Sequence, residues 1–337
     1  MKLSIVDVSN VAPGDTRSDA LAKTVEMAKH ADLLGYSRFW VAEHHGAPSV
    51  AGRAPEVLIA ALAAQTSRIR LGSGAVLLNH YSALKVAEVY CTLNEIFPGR
   101  IDLGVGRATT GPVTDFALQQ DRSKAFRADS DEQIAELIAW LDQSFPADHP
   151  FSEYPVYTID SLPEVSLLGS SPWSASAAAA LGLRYVFAGF INQRGTPEIL
   201  ANYCRDFVPS QRKTGVQKPT LTLSVHAVCA DSEDEARRQL APVHVMYANL
   251  SRGNLRAPML SPDDAVKFLG GLPELERYQA GSGVPPKFIG GTFDQVQETL
   301  EQLARDLSVD EIIIQDIMVD HAARLHSYEL LARMLSE

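Results

Sequence analysis

One stretch, residues 69–107, limits most strongly what this chain can fold into. Residues 69–78 (IRLGSGAVLL) are apolar enough to be buried on both faces, and the next run carries Leu84, Ala87, Tyr90 and Cys91 at helical spacing. Residues 101–106 (IDLGVG) then return as a second buried strand. Strand, helix and strand in that order make a parallel crossover, because a hairpin would need only a short turn. Ligands of such units gather at the carboxyl ends of the strands. Two features stand there: the small residues Gly72, Ser73, Gly74 and Ala75, where a flat ligand can approach the backbone, and Arg107, a rigid cationic fork one residue past the second strand. Together they point to a planar group with an anionic tail.

The same alternation runs through the chain. Strands are expected at 3–8, 38–43, 164–169, 184–188, 220–229 and 311–315, and helices at 18–34, 55–65, 129–141, 174–181, 197–207, from 232, 292–307 and 322–335. Eight strands alternating with eight helices, closed by the terminal helix at 322–335, within 337 residues favour closure into a single-domain α/β fold, a (β/α)8 TIM barrel spanning 1–337. A doubly wound open sheet would also alternate. Residues 251–286 shift to Gly, Pro and scattered charge, with one short helix near 263–269. That is too long for an ordinary connection, so it reads as an insertion between the seventh and eighth strands, a mobile lid.

With 30 basic against 41 acidic residues, the net charge of -11 repels polyphosphate and gives no footprint for nucleic acid or an anionic membrane. The partner expected is a small molecule. Cys91, Cys204 and Cys229 are odd in number and far apart, so they suggest neither a disulfide framework nor a thiolate metal site. The amino terminus meets Asp7 too early for a signal peptide and no run is long enough to span a membrane, so a soluble, cytoplasmic protein is expected.

His44 and His45 end the second strand, where barrel active sites collect. Adjacent side chains of an extended chain point to opposite faces, so one of the pair faces the barrel mouth. Glu43 beside them raises the question of a metal, but a catalytic metal needs converging ligands that the sequence does not supply, and no metal is expected. The readings that remain are a hydrogen-bonded structural imidazole and a general acid or base. The run 169–174 (GSSPWS) precedes the Ala-rich helix, so Ser170, Ser171 and Ser174 either cap that helix or, with its free N–H groups, form an anion site. Arg107 would dominate such a site, since a charged hydrogen bond is worth about 1.5–3 kcal/mol against about 0.3–1 kcal/mol for a helix terminus. The sequence 104–107 (GVGR) lacks the third glycine of a dinucleotide fingerprint, and no helix opens directly after it. The scattered aromatics Trp140 and Tyr247, with Met246, read as core.

In combination these motifs resemble the luciferase-like flavin monooxygenases, the bacterial luciferase superfamily. The resemblance is carried by residues 39–45 (FWVAEHH), 68–78, 98–107 (PGRIDLGVGR), 169–171 and 323–332 (ARLHSYELLA), whose order and spacing are more specific than any one motif. It implies reduced FMN in the barrel mouth, with its phosphate held by Arg107, Ser170, Ser171 and Ser174. The flavin ring would rest on a backbone bulge at Gly74 and Ala75, a non-proline cis peptide in relatives, and His44 would be the acid/base residue. The implied partners are a separate flavin reductase that supplies the reduced cofactor, O2 and a small organic substrate. The superfamily also contains deazaflavin-dependent oxidoreductases and non-catalytic flavin binders, and these are the competing readings. A deazaflavin would need more positive charge than Arg107 alone. Gly106 stands where luciferase has a reactive cysteine, and Asn79 and His80 depart from its residues, so neither light emission nor a long-chain aldehyde is implied. Luciferase-like proteins pair through their second and third helices, which implies a homodimer with Leu58, Leu62 and Gln65 facing the neighbour.

Overall fold

A computed structural model describes residues 1–108, 111–119, 121–123, 130–154, 161–254 and 257–335. Its strands are β1 (Lys2–Asp7), β2 (Arg38–Val41), β3 (Arg70–Ser73), β4 (Val76–Leu77), β5 (Ile101–Gly106), β6 (Glu164–Gly169), β7 (Arg184–Ala188), β8 (Leu221–Val225), β9 (Ala227–Cys229), β10 (Ile289–Gly291) and β11 (Glu311–Asp316). The helices are α1 (Arg17–Leu34), α2 (Pro55–Ala63), α3 (Ala83–Ile96), α4 (Pro112–Leu118), α5 (Ser130–Asp142), α6 (Pro172–Leu181), α7 (Thr196–Asp206), α8 (Glu233–Ser251), α9 (Pro262–Leu269), α10 (Phe293–Leu307) and α11 (His321–Leu331).

Parallel pairing runs from β1 through β2, β3, β5, β6, β7, β8 and β11 back to β1, with β4 continuing β3 along β5. The sheet is therefore the closed eight-stranded barrel expected, with helices around it. Local signals agree with the packing. Thr16 and Asp19 form a capping box at the start of α1, and Gly35, at φ 88, ends it in the left-handed region. In α10, Val296, Leu300, Leu303 and Leu307 recur at helical spacing and are buried against the barrel.

The amino-terminal end of the barrel is filled by charge. Arg38 meets Asp102 at 2.7 Å and Glu311 at 3.0 Å, Arg70 meets Asp102 at 2.6 Å, and Arg184 meets Glu164 at 3.4 Å. Trp40 Nε1 donates to Asp102 at 2.9 Å. Buried charges of this kind persist only when paired, and their pairing leaves the carboxyl ends of the strands as the open face.

Four expectations need correction. The run 69–78 is not one strand but two, β3 and β4, parted at the cis peptide between Gly74 and Ala75 that the family resemblance implied. The strand at 220–229 is interrupted at His226, after which β9 leaves the barrel and pairs with β10, a strand the sequence did not suggest because it is only three residues long and rich in glycine. A short helix, α4, stands between β5 and α5 where no helix was expected, with Pro112 at its first position. Leu62, expected to face a neighbour, is only 1% exposed and packs in the barrel core with Leu58 against it, because the outward face of α2 carries Val57 instead, 65% exposed.

The inserted segment is anchored on α8. Arg237 donates to the carbonyls of Pro273 and Leu272 at 2.9 and 3.2 Å, and Arg238 pairs with Asp263 at 2.6 Å. Ala265 packs against Ala241 and Val245.

Candidate active site

The floor of the barrel mouth is built where β3 gives way to β4. Pairing passes from Gly72 opposite Asp102 to Val76 opposite Val105, four steps on one strand against three on the other, so one residue bulges out. Ser73 locks the bulge: its hydroxyl donates to Gly104 O at 2.8 Å and accepts from Gly104 N at 3.1 Å. A Cβ on Gly104 would lie 2.0 Å from Ser73 O, and one on Gly106 would lie 3.1 Å from the Ala75 methyl. The glycines of β5 thus let the backbone at Gly74 and Ala75 lie close against it, the small-residue platform anticipated for a flat ligand.

Glu43 organises one wall. It is 3% exposed; its Oε2 accepts the Leu77 N–H at 2.9 Å, and its Oε1 accepts the Tyr81 hydroxyl at 2.7 Å and lies 2.7 Å from His45 Nε2. This carboxylate ties the end of β2 to the first residues after the bulge. Residues 43 and 45 share a face and His44 takes the other, as strand alternation requires. His44 Nδ1 is buried with no hydrogen-bond partner among the described residues, and its backbone N–H donates to Gly52 O at 3.0 Å. Burial pushes the His44 imidazole below its ordinary value. Glu43 partly offsets this and His45 adds to it. A neutral imidazole with an uncommitted nitrogen can take or hand on a proton. No cluster of three metal-ligating side chains exists among the described residues.

The turn from β6 into α6 carries the three serines expected from the sequence to cap a helix or hold an anion. Ser171 caps α6 in a capping box with Ser174, whose hydroxyl donates to Ser171 O at 2.8 Å and pairs with Tyr185 Oη at 2.9 Å. Gly169 is required here, because a Cβ would fall 2.2 Å from Ser174 Oγ. The Ser170 carbonyl accepts from Asn192 Nδ2 at 2.9 Å, which fixes the turn from β6 into α6. The Arg107 guanidinium lies over the Trp173 ring, 3.7 Å from its centroid, so the cation reaches the first turn of this helix. Trp173 in turn donates to Asp131 at 2.8 Å. Trp173 and Arg107 lie far apart along the chain, so no spacing marks this indole as the seat of the guanidinium.

Sequence reasoning also missed the opposite rim. His226 follows β8 and lies between Phe190 and Phe288, with ring centroids 4.7 and 5.5 Å away, and its Nε2 meets Tyr247 Oη at 3.1 Å. Burial lowers its pKa to about 3, with Lys287 contributing, so the ring is neutral. Tyr247, read as core, does pack with Met246 against the buried cluster around Val243 and Phe288, and its hydroxyl adds a polar contact at the rim.

The sequence profile of the luciferase-like monooxygenases matches residues 1–311. The chain is 36% identical over 335 residues to the N-acetyl-S-alkylcysteine monooxygenase of Bacillus subtilis (strain 168), covering 98% of this chain and 97% of that protein. Among solved structures, apo-MsnO8 superposes with a TM-score of 0.87 at 38% identity, over 99% of this chain and 97% of the other. The oxygenating constituent of 3,6-diketocamphane monooxygenase from Pseudomonas putida, solved with FMN, shares the fold at a TM-score of 0.73 and 20% identity, over 99% and 97%. Profile, relatives and barrel agree, and the chain belongs to the luciferase-like monooxygenase family.

Proposed function

We propose that this chain is an FMN-dependent monooxygenase that receives reduced flavin from a separate reductase and oxidises a small organic substrate with O2. The observation that carries the reading is the Arg107 guanidinium resting on Trp173 in the first turn of α6, beside a small-residue platform at the bulge. The residues fit the group. Arg107, Ser170, Ser171 and the backbone N–H groups opening α6 would hold the phosphate, with Ser174 keeping the cap in shape. Gly74 and Ala75 would support the flavin ring, with the glycines of β5 behind them. When bound, reduced FMN supplies the electrons that activate O2.

The chain's own part is to bind, exclude water and manage one proton. His44, neutral through burial, would hold or accept that proton at Nδ1 near the reacting end of the ring. Glu43 would act through its partners, fixing His45 and the Leu77 amide so that the platform does not shift. The segment 251–286 would close over the mouth and keep water out.

The test is anaerobic titration with reduced FMN, followed by oxygen uptake against a panel of aldehydes, ketones, alkanesulfonates, terpenes and N-acetyl-S-alkylcysteines. The last class is included because the Bacillus subtilis relative is named for it. Tight binding of reduced FMN with substrate-dependent oxygen uptake is expected. Absence of reduced FMN binding, or turnover with a reduced deazaflavin in its place, would contradict the proposal.

A further inference from the structure

A cleft of about 410 Å³ lies between α8 and the run leading into β10, next to the rim formed by His226. Its size falls at the lower end of small-molecule pockets. His244, Tyr247 and Ser251 line it from α8, and Lys287 and Phe288 line it from the other side. Phe288 is buried and packs on His244 and Tyr247, with centroids 4.4 and 5.6 Å away, so the floor is apolar and aromatic.

Two of the lining side chains, Lys287 and His244, carry polar groups with no polar partner among the described residues. Lys287 Nζ lies 3.9 Å from the Tyr247 ring centroid and 5.6 Å from that of Phe288, and no carboxylate pairs with it among the described residues. The π faces fix the ammonium without neutralising it. His244 Nε2 is buried and has no hydrogen-bond partner among the described residues. Two carboxylates border the cleft as well. Glu276 accepts the backbone N–H of Lys287 at 3.2 Å, and Glu274 is exposed at the edge. A ligand that completes this arrangement brings an anionic acceptor to Lys287 and His244 and an apolar body to Phe288 and Tyr247.

We propose that this cleft is a carboxylate-anchoring subsite at the barrel rim, which holds an organic acid with an aromatic or alkyl body by its acid end. That this acid is the substrate rests on the flavin reading above, whereas the binding itself does not. Calorimetric titration of the full-length protein with 3-phenylpropionate, its amide 3-phenylpropanamide and 3-phenylpropylamine tests it. The acid is expected to bind about tenfold or more tightly than the amide, in line with charge-assisted hydrogen bonds, and the amine more weakly than either. Lys287→Gln should abolish the preference for the acid while amide binding persists, and Lys287→Arg should keep it. Ser251→Trp, which fills the cleft from α8, should remove binding of both.

Equal binding of acid and amide, preference for the amine, or a preference that survives Lys287→Gln would overturn the proposal. So would displacement of 3-phenylpropionate by FMN, which would place the acid in the phosphate site. If the protein binds no flavin, the comparison of wild type with Lys287→Gln still decides the question, so failure of the flavin reading and failure of the subsite are separate results.

Discussion

His44 and His45 adjoin in sequence but face different surroundings. His45 is committed to Glu43 at 2.7 Å, whereas His44 keeps Nδ1 buried without a partner. Strand alternation made the division legible, but it could not say which imidazole was free, because that depends on Glu43, Tyr81 and Leu77 meeting across two strands. His44→Ala should lower substrate oxidation by about a hundredfold or more with little change in the unfolding midpoint, the cost of a lost acid/base group. Equal steady-state rates would return His44 to a structural role. Because burial lowers the His44 pKa from 6.5, the acid limb of kcat/KM should lie below that value in the wild type. A limb above it would show that another group titrates. Glu43→Gln can keep its oxygen on the Leu77 N–H only by turning its NH2 toward the Tyr81 hydroxyl and His45 Nε2, which must then reverse from donors to acceptors and lose the charge-assisted bonds. About 1–3 kcal/mol of stability should be lost, measured by urea unfolding.

At the scale of elements, the barrel strands were readable because each is a short apolar run bounded by turn residues, as β5 and β7 show. Breaks within strands were not. Nothing in the apolar pattern of residues 69–78 separates β3 from β4. The bulge is dictated by Gly104 and Ser73 on neighbouring strands, a contact between residues 31 apart. The departure of β9 from β8 was hidden for the same reason, since its partner β10 lies beyond α8 and α9 in sequence. The segment 251–286 was recognisable by composition, but its anchorage was not, because Arg237 and Arg238 look like ordinary solvent-facing charges. If the segment closes over the mouth, amides of residues 257–286 should exchange hydrogen several-fold more slowly once reduced FMN and substrate are present. Unchanged exchange there, measured by mass spectrometry under anaerobic conditions, would remove the lid.

For the molecule as a whole, closure depends on the seam between the first and last strands. Arg324, from α11, bridges Asp7 at 2.8 Å and Asp316, which places one buried guanidinium on two carboxylates at the carboxyl ends of β1 and β11. Burial pushes the Asp316 pKa up from 3.8 to about 6, opposed by Arg324 and reinforced by Asp7. The folded state therefore holds this proton longer than the unfolded chain. The contribution of Asp316 to stability is fullest below about pH 4 and is lost as the pH rises through about 6. Asp316→Asn cannot ionise, so its unfolding free energy should gain on the wild type's across that window, and a constant difference between the two would contradict the assignment. The barrel that this seam closes has an open end, where the Arg107 guanidinium and the start of α6 come together and where the proposed phosphate would sit. The most direct measurement compares wild type and Arg107→Ala in anaerobic titrations with reduced FMN and with reduced riboflavin, which lacks only the phosphate. The account predicts that the wild type prefers reduced FMN and that Arg107→Ala binds it about tenfold to a hundredfold more weakly, with riboflavin affinity little changed. Equal affinity of wild type and variant for reduced FMN would contradict it.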